Sequence, residues 1–508
     1  MKSGRIISII CAGALVMSLA SCGKQTENTE QEDGSTVTKG NTVTVIEGET
    51  VSLVFSDGEI TADSAYGVEI DGTKLTINKA GTYVLSGSCT DGSVKIAAGT
   101  ENVYLKLNGL VLTSGDTAPI LCGKASSVTI EVCTGTENTL SDSAENNDDE
   151  YPENENAENA VIKCKDGSEV TLCGTGTINI NANGKNGIKS GASTDEDGEA
   201  ALTVKELTLN IAAPVNDGIN AEQLLNIESG TLNIAAGDDA VHCDLVMNVG
   251  AEDTDGPVIN ISECYEGLEA VRMNICSGDI DIVSTDDCLN TANSDLSGYS
   301  FEMNISGGSI TAYTSEGDGF DSNGSMTISG GSIEVWAANT ADNQPLDADG
   351  TITITGGTVL AAGGSSGMGM NLDASQAYVI FGTAGGMGMQ PGAAGTLVSG
   401  GEAVTVKDSS GNEIYSANAR CGAGYVFFSS DKLTESESIT LYSGDEQAAE
   451  GQAQTGAMSE TQPGGGFPGG AGGGFDMQPG DGGMVPPDGE APNGQPPEMP
   501  NGEPGNRQ

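Results

Sequence analysis

Along the middle of the chain apolar and polar residues alternate. In Thr231-Leu232-Asn233-Ile234 every second residue is apolar, the pattern of a strand with one buried and one wetted face. Leu232 and Ile234 are expected to point inward, Thr231 and Asn233 outward. Asp279-Ile280-Asp281-Ile282 and Ser309-Ile310-Thr311-Ala312 repeat the pattern, as do Ile333 with Val335 and Ile352 with Ile354. Gly-Gly turns precede several of these strands, at Gly307-Gly308, Gly330-Gly331 and Gly356-Gly357.

A bend follows each strand, and the bends align. Gly218, Ala240, Gly267, Cys288 and Gly319 occupy one repeat position and recur every 21 to 31 residues. A rung of that length cannot bury its apolar face alone, whereas rungs stacked in parallel bury it continuously. The Leu/Asn framework of leucine-rich repeats is missing, and propeller blades need longer repeats. The expected fold is all-β: a right-handed parallel β-helix, or solenoid, with β caps. Residues 42–160 would form the N-terminal rungs and cap, 161–365 the central acidic repeats, and 366–445 the C-terminal β cap.

The ends differ in character. Met1 to Arg5 is short and basic, Ile6 to Ala20 is apolar, and Leu19-Ala20-Ser21-Cys22 follows. This reads as a signal peptide over 1–21 ending in a lipobox, with Cys22 as the lipidated N-terminus. Residues 22–41 read as a flexible tether. From 446 to 508 the chain turns to Gly, Pro, Met and acids, a composition without a core that predicts a disordered tail. The expected location is the outer face of the bacterial cytoplasmic membrane, with the lipid as the sole membrane contact.

Charge narrows the partners. The 508 residues carry a formal net charge of -54, which repels nucleic acid and anionic lipid. Of 12 cysteines, ten lie beyond Cys11 and Cys22, an even number that permits disulfides outside the cytoplasm. Cys243, Cys276 and Cys288 suit small apolar fillers of an inner ladder. No CxxC spacing supports zinc or redox chemistry.

The acids concentrate in the aligned bends: Asp217 with Asn220, Asp238 and Asp239, Glu266 with Glu269, Asp286 and Asp287 with Asn290, and Asp318 with Asp321. Asp347 and Asp349 come later. Stacked rungs lie about 4.8 Å apart, where two carboxylates repel by about 3 kcal/mol at an effective dielectric of 20. Such a column calls for cations, and calcium takes six to eight oxygens from carboxylates, amides and carbonyls. Asp217, Asp238, Asp239 and Glu266 make the first expected site; Asp286, Asp287 and Asn290 make the second. His242, the single histidine, falls at the Asn220/Glu269/Asn290/Asp321 position and suits an edge residue or sugar contact.

The ordered set Asn-Asp-Gly-Ile-Asn (216–220), Gly-Asp-Asp-Ala-Val-His (237–242), Tyr-Glu-Gly-Leu-Glu (265–269), Asp-Asp-Cys-Leu-Asn (286–290) and Gly-Asp-Gly-Phe-Asp (317–321) resembles a bacterial extracellular β-helix family of carbohydrate-binding proteins, calcium-bearing fold relatives of pectate-type polysaccharide lyases. The resemblance runs over about residues 42–445. It implies binding of plant cell-wall polysaccharide, pectic or cellulosic. Lys185-Asn186-Gly187-Ile188-Lys189 departs from it, since that bend lacks the acids.

Two further readings stand beside a non-catalytic binder: a calcium-dependent polysaccharide lyase and a structural adhesin. β-Elimination needs a base near the calcium, Lys or Arg in β-helix lyases, and between Gly191 and Met370 the only such residues are Lys205 and Arg272. Arg272 is the lyase candidate, although neighbouring carboxylates favour its charged form. For sugar stacking the alternation places Tyr313 and Trp336 in one outward column on consecutive rungs.

Overall fold

Strands dominate because alternation and β-branched residues recur throughout, and within the described residues every regular element is a strand. The computed structural model describes residues 49–458 apart from 194–199, 294–295, 297, 339–342, 365–369 and 383–395. The expected signal peptide, Cys22, the tether and most of the expected tail lie outside the described residues.

Pairing runs in three parallel ladders, each strand bonding to elements about three further along the chain. The first contains Thr208–Ala213, Thr231–Ala236, Val258–Glu263, Asp279–Ser284, Ser309–Thr314 and Ser332–Ala337. The second contains Ala160–Cys164, Asn186–Lys189, Ile219–Ala221, the starts of Val241–Val249 and Leu268–Ile275, then Leu289–Thr291 and Phe320–Ser322. The third takes Leu224–Ile227, the second halves of the two long strands, Glu302–Ile305 and Ser325–Ile328. The result is all-β with one large, mostly parallel sheet, compatible with a solenoid.

Register follows the alternation. Leu209, Leu232, Ile259, Ile280, Ile310 and Ile333 stand directly over one another and are buried. A slip of one residue would turn this whole row to solvent. On the outer side the amides form their own ladder. Asn210 donates to Asn179 at 2.8 Å, Asn233 to Asn210 at 2.7 Å and Asn260 to Asn233 at 2.9 Å. A second amide ladder joins Asn226, Asn248, Asn274 and Asn304.

The parallel stacking ends where Tyr425–Ser429 runs antiparallel to both Thr358–Gly363 and Leu372–Phe381. Ala403–Lys407, Glu413–Asn418, Ser438–Ser443 and Glu446–Gln452 form a separate four-stranded antiparallel sheet. This corrects the expected start of the tail at 446. Glu446–Gln452 returns along Ser438–Ser443, through a turn with Gly444 at φ 57°, and Gln454–Ala457 pairs with Leu372–Phe381. An edge strand is held largely by backbone bonds, so its polar composition hid it. Ending the chain at Gly444 is therefore expected to lower the melting temperature by several degrees, whereas ending it at Met458 leaves it unchanged. Equal melting temperatures for the two truncations would return the boundary to 446.

All ten described cysteines are free. Cys243 and Cys288 are fully buried fillers, while Cys276 is half-buried after its strand, not in the inner row as expected.

Candidate cation and carbohydrate site

Each strand of the second ladder is entered through a bend, and the bends stack because the strands do. The amide of Gly218 donates to the carbonyl of Asp239, that of Ala240 to Glu266, that of Gly267 to Asp287 and that of Cys288 to Asp318. Asp217, Asp239, Glu266, Asp287 and Asp318 thus form one column. Glycine is required at some of these turns: a Cβ on Gly267 would lie 2.2 Å from the Cys288 carbonyl oxygen.

A second column stands three residues further on. Lys189, Asn220, His242, Glu269, Asn290 and Asp321 are successive register partners, and the Phe320–Leu346 bridge brings Asp347 next. The repeat alignment placed His242 here, and it stands here. Asp238 departs from expectation: it is exposed, because the bend turns it away from the column that Asp239 joins. Asp286 is half-buried at the same outer position.

The columns are partly satisfied from within. Asn220 donates to Asp217 at 2.6 Å and Asn290 to Glu266 at 2.9 Å. The amide of Asp318 donates to Asp287 at 2.6 Å and that of Gln344 to Asp318 at 2.5 Å. His242 is the exception among acceptors. Its Nδ1 lies 3.1 Å from Asp239 and bonds Glu269, and its Nε2 lies 2.9 Å from Asp244. Burial opposes its charge, yet these three carboxylates carry its pKa well upward. Of the first expected set, His242 touches Asp239 alone, and Asp239, His242 and Glu269 bring ligand atoms within 4.8 Å of one another.

Further along the column the described residues include no such cationic side chain. Asp318, Asp321 and Asp347 bring carboxylate oxygens within 4.8 Å of one another. Burial pushes Asp287 and Glu266 up to about 8, Asp318 to about 7 and Asp321 to about 6. Asn290 is 6% exposed, and its buried Oδ1 accepts no hydrogen bond. A buried carbonyl oxygen left unpaired among carboxylates has the wrong chemistry for a donor-poor wall and the right chemistry for a hard cation. Asp287, Asn290, Asp318, Asp321 and Asp347 could hold one. Asp347 was visible in the sequence as the next aligned acid.

The proposed aromatic column is only half accessible. Tyr313 and Trp336 are register partners as expected, but Trp336 is 0% exposed, packed with Leu360, Val379 and Phe428. Its Nε1 donates to Glu334 at 2.7 Å. The antiparallel C-terminal strands cover it, so it cannot stack on a sugar; Tyr313 packs partly against the same cluster. Tyr265 is an aromatic that the alternation did not single out. It occupies the outer bend position where Asp238 and Asp286 stand, is 47% exposed, and a hydrogen bond to Asp286 pushes its hydroxyl up to about 12. An aromatic in an otherwise acidic bend was the available signal. Arg272 belongs to the third ladder and pairs with Glu302 at 3.0 Å, away from the acidic columns.

A family model described as carbohydrate-binding domain-containing protein matches residues 71–369. A carbohydrate-binding domain-containing protein of Acetivibrio thermocellus is 35% identical over 144 residues, 28% of this chain and 48% of the relative. The chain thus spans about half the length of that curated relative. A solved polysaccharide lyase-like protein from C. thermocellum, a gadolinium derivative, aligns with a TM-score of 0.36 and 21% identity over 60% of this chain and 97% of its own.

Proposed function

We propose, from the premise that the chain belongs to the carbohydrate-binding domain-containing protein family, that it binds polysaccharide along its stacked bends without cleaving it, with calcium held between rungs. The three ladders support reading the fold as a right-handed parallel β-helix. The N-terminal pattern supports export and attachment through Cys22. Plant cell-wall polymers, pectic or cellulosic, are the proposed ligands.

The observation that carries the reading is the carboxylate-rich wall beyond His242. Asp287, Asp318, Asp321 and Asp347 offer oxygens of the kind calcium takes, and the unpaired Asn290 Oδ1 supplies one more. Calcium bound there would neutralise the carboxylates and leave coordination for sugar oxygens. The chain's residues orient the polymer: Tyr265 offers a ring to sugar C–H faces, and the outward amides offer donors to hydroxyls. A lyase has less support, because Arg272 stands on the third ladder, paired with Glu302 at 3.0 Å, away from the acidic bends.

Binding and product release measured on pectic and cellulosic polymers, with calcium and with chelator, test this. Calcium-dependent retention without soluble product is expected; chelator-sensitive release of unsaturated product would make the chain a lyase. Tyr265→Ala is expected to weaken retention about tenfold, about 1.4 kcal/mol, at an unchanged melting temperature. Undiminished affinity in that variant would remove Tyr265 from the site.

A further inference from the structure

The second outward column does not begin with acids. Lys163 is in register with Lys189, and Lys189 with Asn220. Two lysines therefore stand on consecutive rungs, whose backbones lie about 4.8 Å apart along the ladder, at the N-terminal edge of the acidic stretch.

Lysine is scarce and acid abundant in this chain, so an ammonium finds a partner easily. Nine of the described lysines and arginines lie within 4 Å of a carboxylate. Two lie over tyrosine rings and one donates to a carbonyl. Among the described residues Lys163 and Lys95 have none of these. Lys95 is exposed and water serves it; Lys163 is half-buried. Lys189 is only loosely held, by the Asn220 amide oxygen at 3.0 Å and Glu222 at 3.9 Å. Burial and the adjacent Lys189 pull the Lys163 pKa down, and Glu222 and Glu158, neither in direct contact, oppose this only in part. The neighbouring Glu158 is engaged by Lys165 at 2.8 Å.

We propose that Lys163, with Lys189 beside it, forms an anion subsite that receives an oxyanion carried by the bound polysaccharide, above all a sugar carboxylate. This rests on the polysaccharide reading and assigns residues to the anionic groups of such a polymer. A neutral polymer leaves Lys163 without a direct ionic partner. A uronate-bearing polymer lying along the column offers one carboxylate to Lys163 and Lys189 and others to cations held by the acidic bends. A sulfate ester presents the same chemistry to the lysines.

The test compares the full chain with Lys163→Gln, Lys163→Arg and Lys189→Gln on polygalacturonate, dextran sulfate and cellulose, in calcium. Lys163→Gln is expected to lose at least tenfold affinity for polygalacturonate and less than twofold for cellulose. Lys163→Arg is expected to keep both. Loss on polygalacturonate alone assigns a carboxylate subsite, and equal loss on dextran sulfate assigns a general oxyanion subsite. Polygalacturonate affinity within twofold of wild type in both glutamine variants, or an equal loss on cellulose, overturns the inference while sparing the polysaccharide reading. If Lys163→Gln does not fold, Lys189→Gln decides by the same ratios. A wild-type chain that retains none of the three polymers overturns both.

Discussion

Trp336→Ala is expected to destabilise the protein by about 3–5 kcal/mol, the usual cost of emptying a fully buried aromatic site. The ring lies among Leu360, Val379, Phe381 and Phe428, so truncation opens a cavity between the first ladder and the strands that cover it. The Glu334 carboxylate, which also accepts from Tyr415 at 3.2 Å, would lose its indole donor. Urea unfolding followed by tyrosine fluorescence or circular dichroism reads the loss. Polysaccharide affinity of the folded fraction is expected to stay within twofold of wild type. Unchanged stability together with a large loss of affinity would put Trp336 back at the sugar.

The second large effect is the response of the cation-free protein to pH. Burial raises the folded-state pKa of Glu266 and Asp287 to about 8 and of Asp318 to about 7, against about 4 when unfolded. Between pH 4 and 8 the folded chain then binds more protons than the unfolded one, so stability is fully present below pH 4 and falls as pH rises. His242, with its raised pKa, acts in the same direction above its unfolded value of about 6.5. Each such group contributes about 1.4 kcal/mol per pH unit while its two states differ, and their mutual repulsion makes the combined fall several kcal/mol. Calcium binds the ionised carboxylates and competes with their protons, so millimolar calcium is expected to raise the melting temperature most near pH 8 and to flatten the slope. Thermal melts from pH 4 to 8 in chelator and in calcium check this. A melting temperature that rises with pH in chelator, or ignores calcium at pH 8, would dismiss the cation site.

Much of this was legible in the sequence where local pattern and global packing ask for the same residue. Leu232 and Ile234 had to point inward because alternation allows one buried face, and the register that aligns Asn220, His242, Glu269, Asn290 and Asp321 follows from that. Three features were not legible. Asp238 and Asp239 are adjacent acids, and the direction of the bend, which no composition encodes, decides which one joins the column. Trp336 points outward as the alternation requires, but outward is not exposed once a distant segment folds over it. Lys163 lies 57 residues before Asn220 in the chain, and only the ladder makes them near neighbours in one column.

The amide ladder bears on how such a chain can change over generations. Asn179, Asn210, Asn233 and Asn260 are separated by 31, 23 and 27 residues, yet each amide meets the next at the same height. Length variation is absorbed in the connections between strands, and the amides fix only which positions must coincide. Residues can accordingly be gained or lost at the bends, where ligand chemistry sits, without disturbing the buried rows. A single residue gained within a strand meets the opposite fate, because it would swing every later amide of that strand toward the core. Inheritance can therefore edit the binding edge of this protein freely while its interior stays in phase.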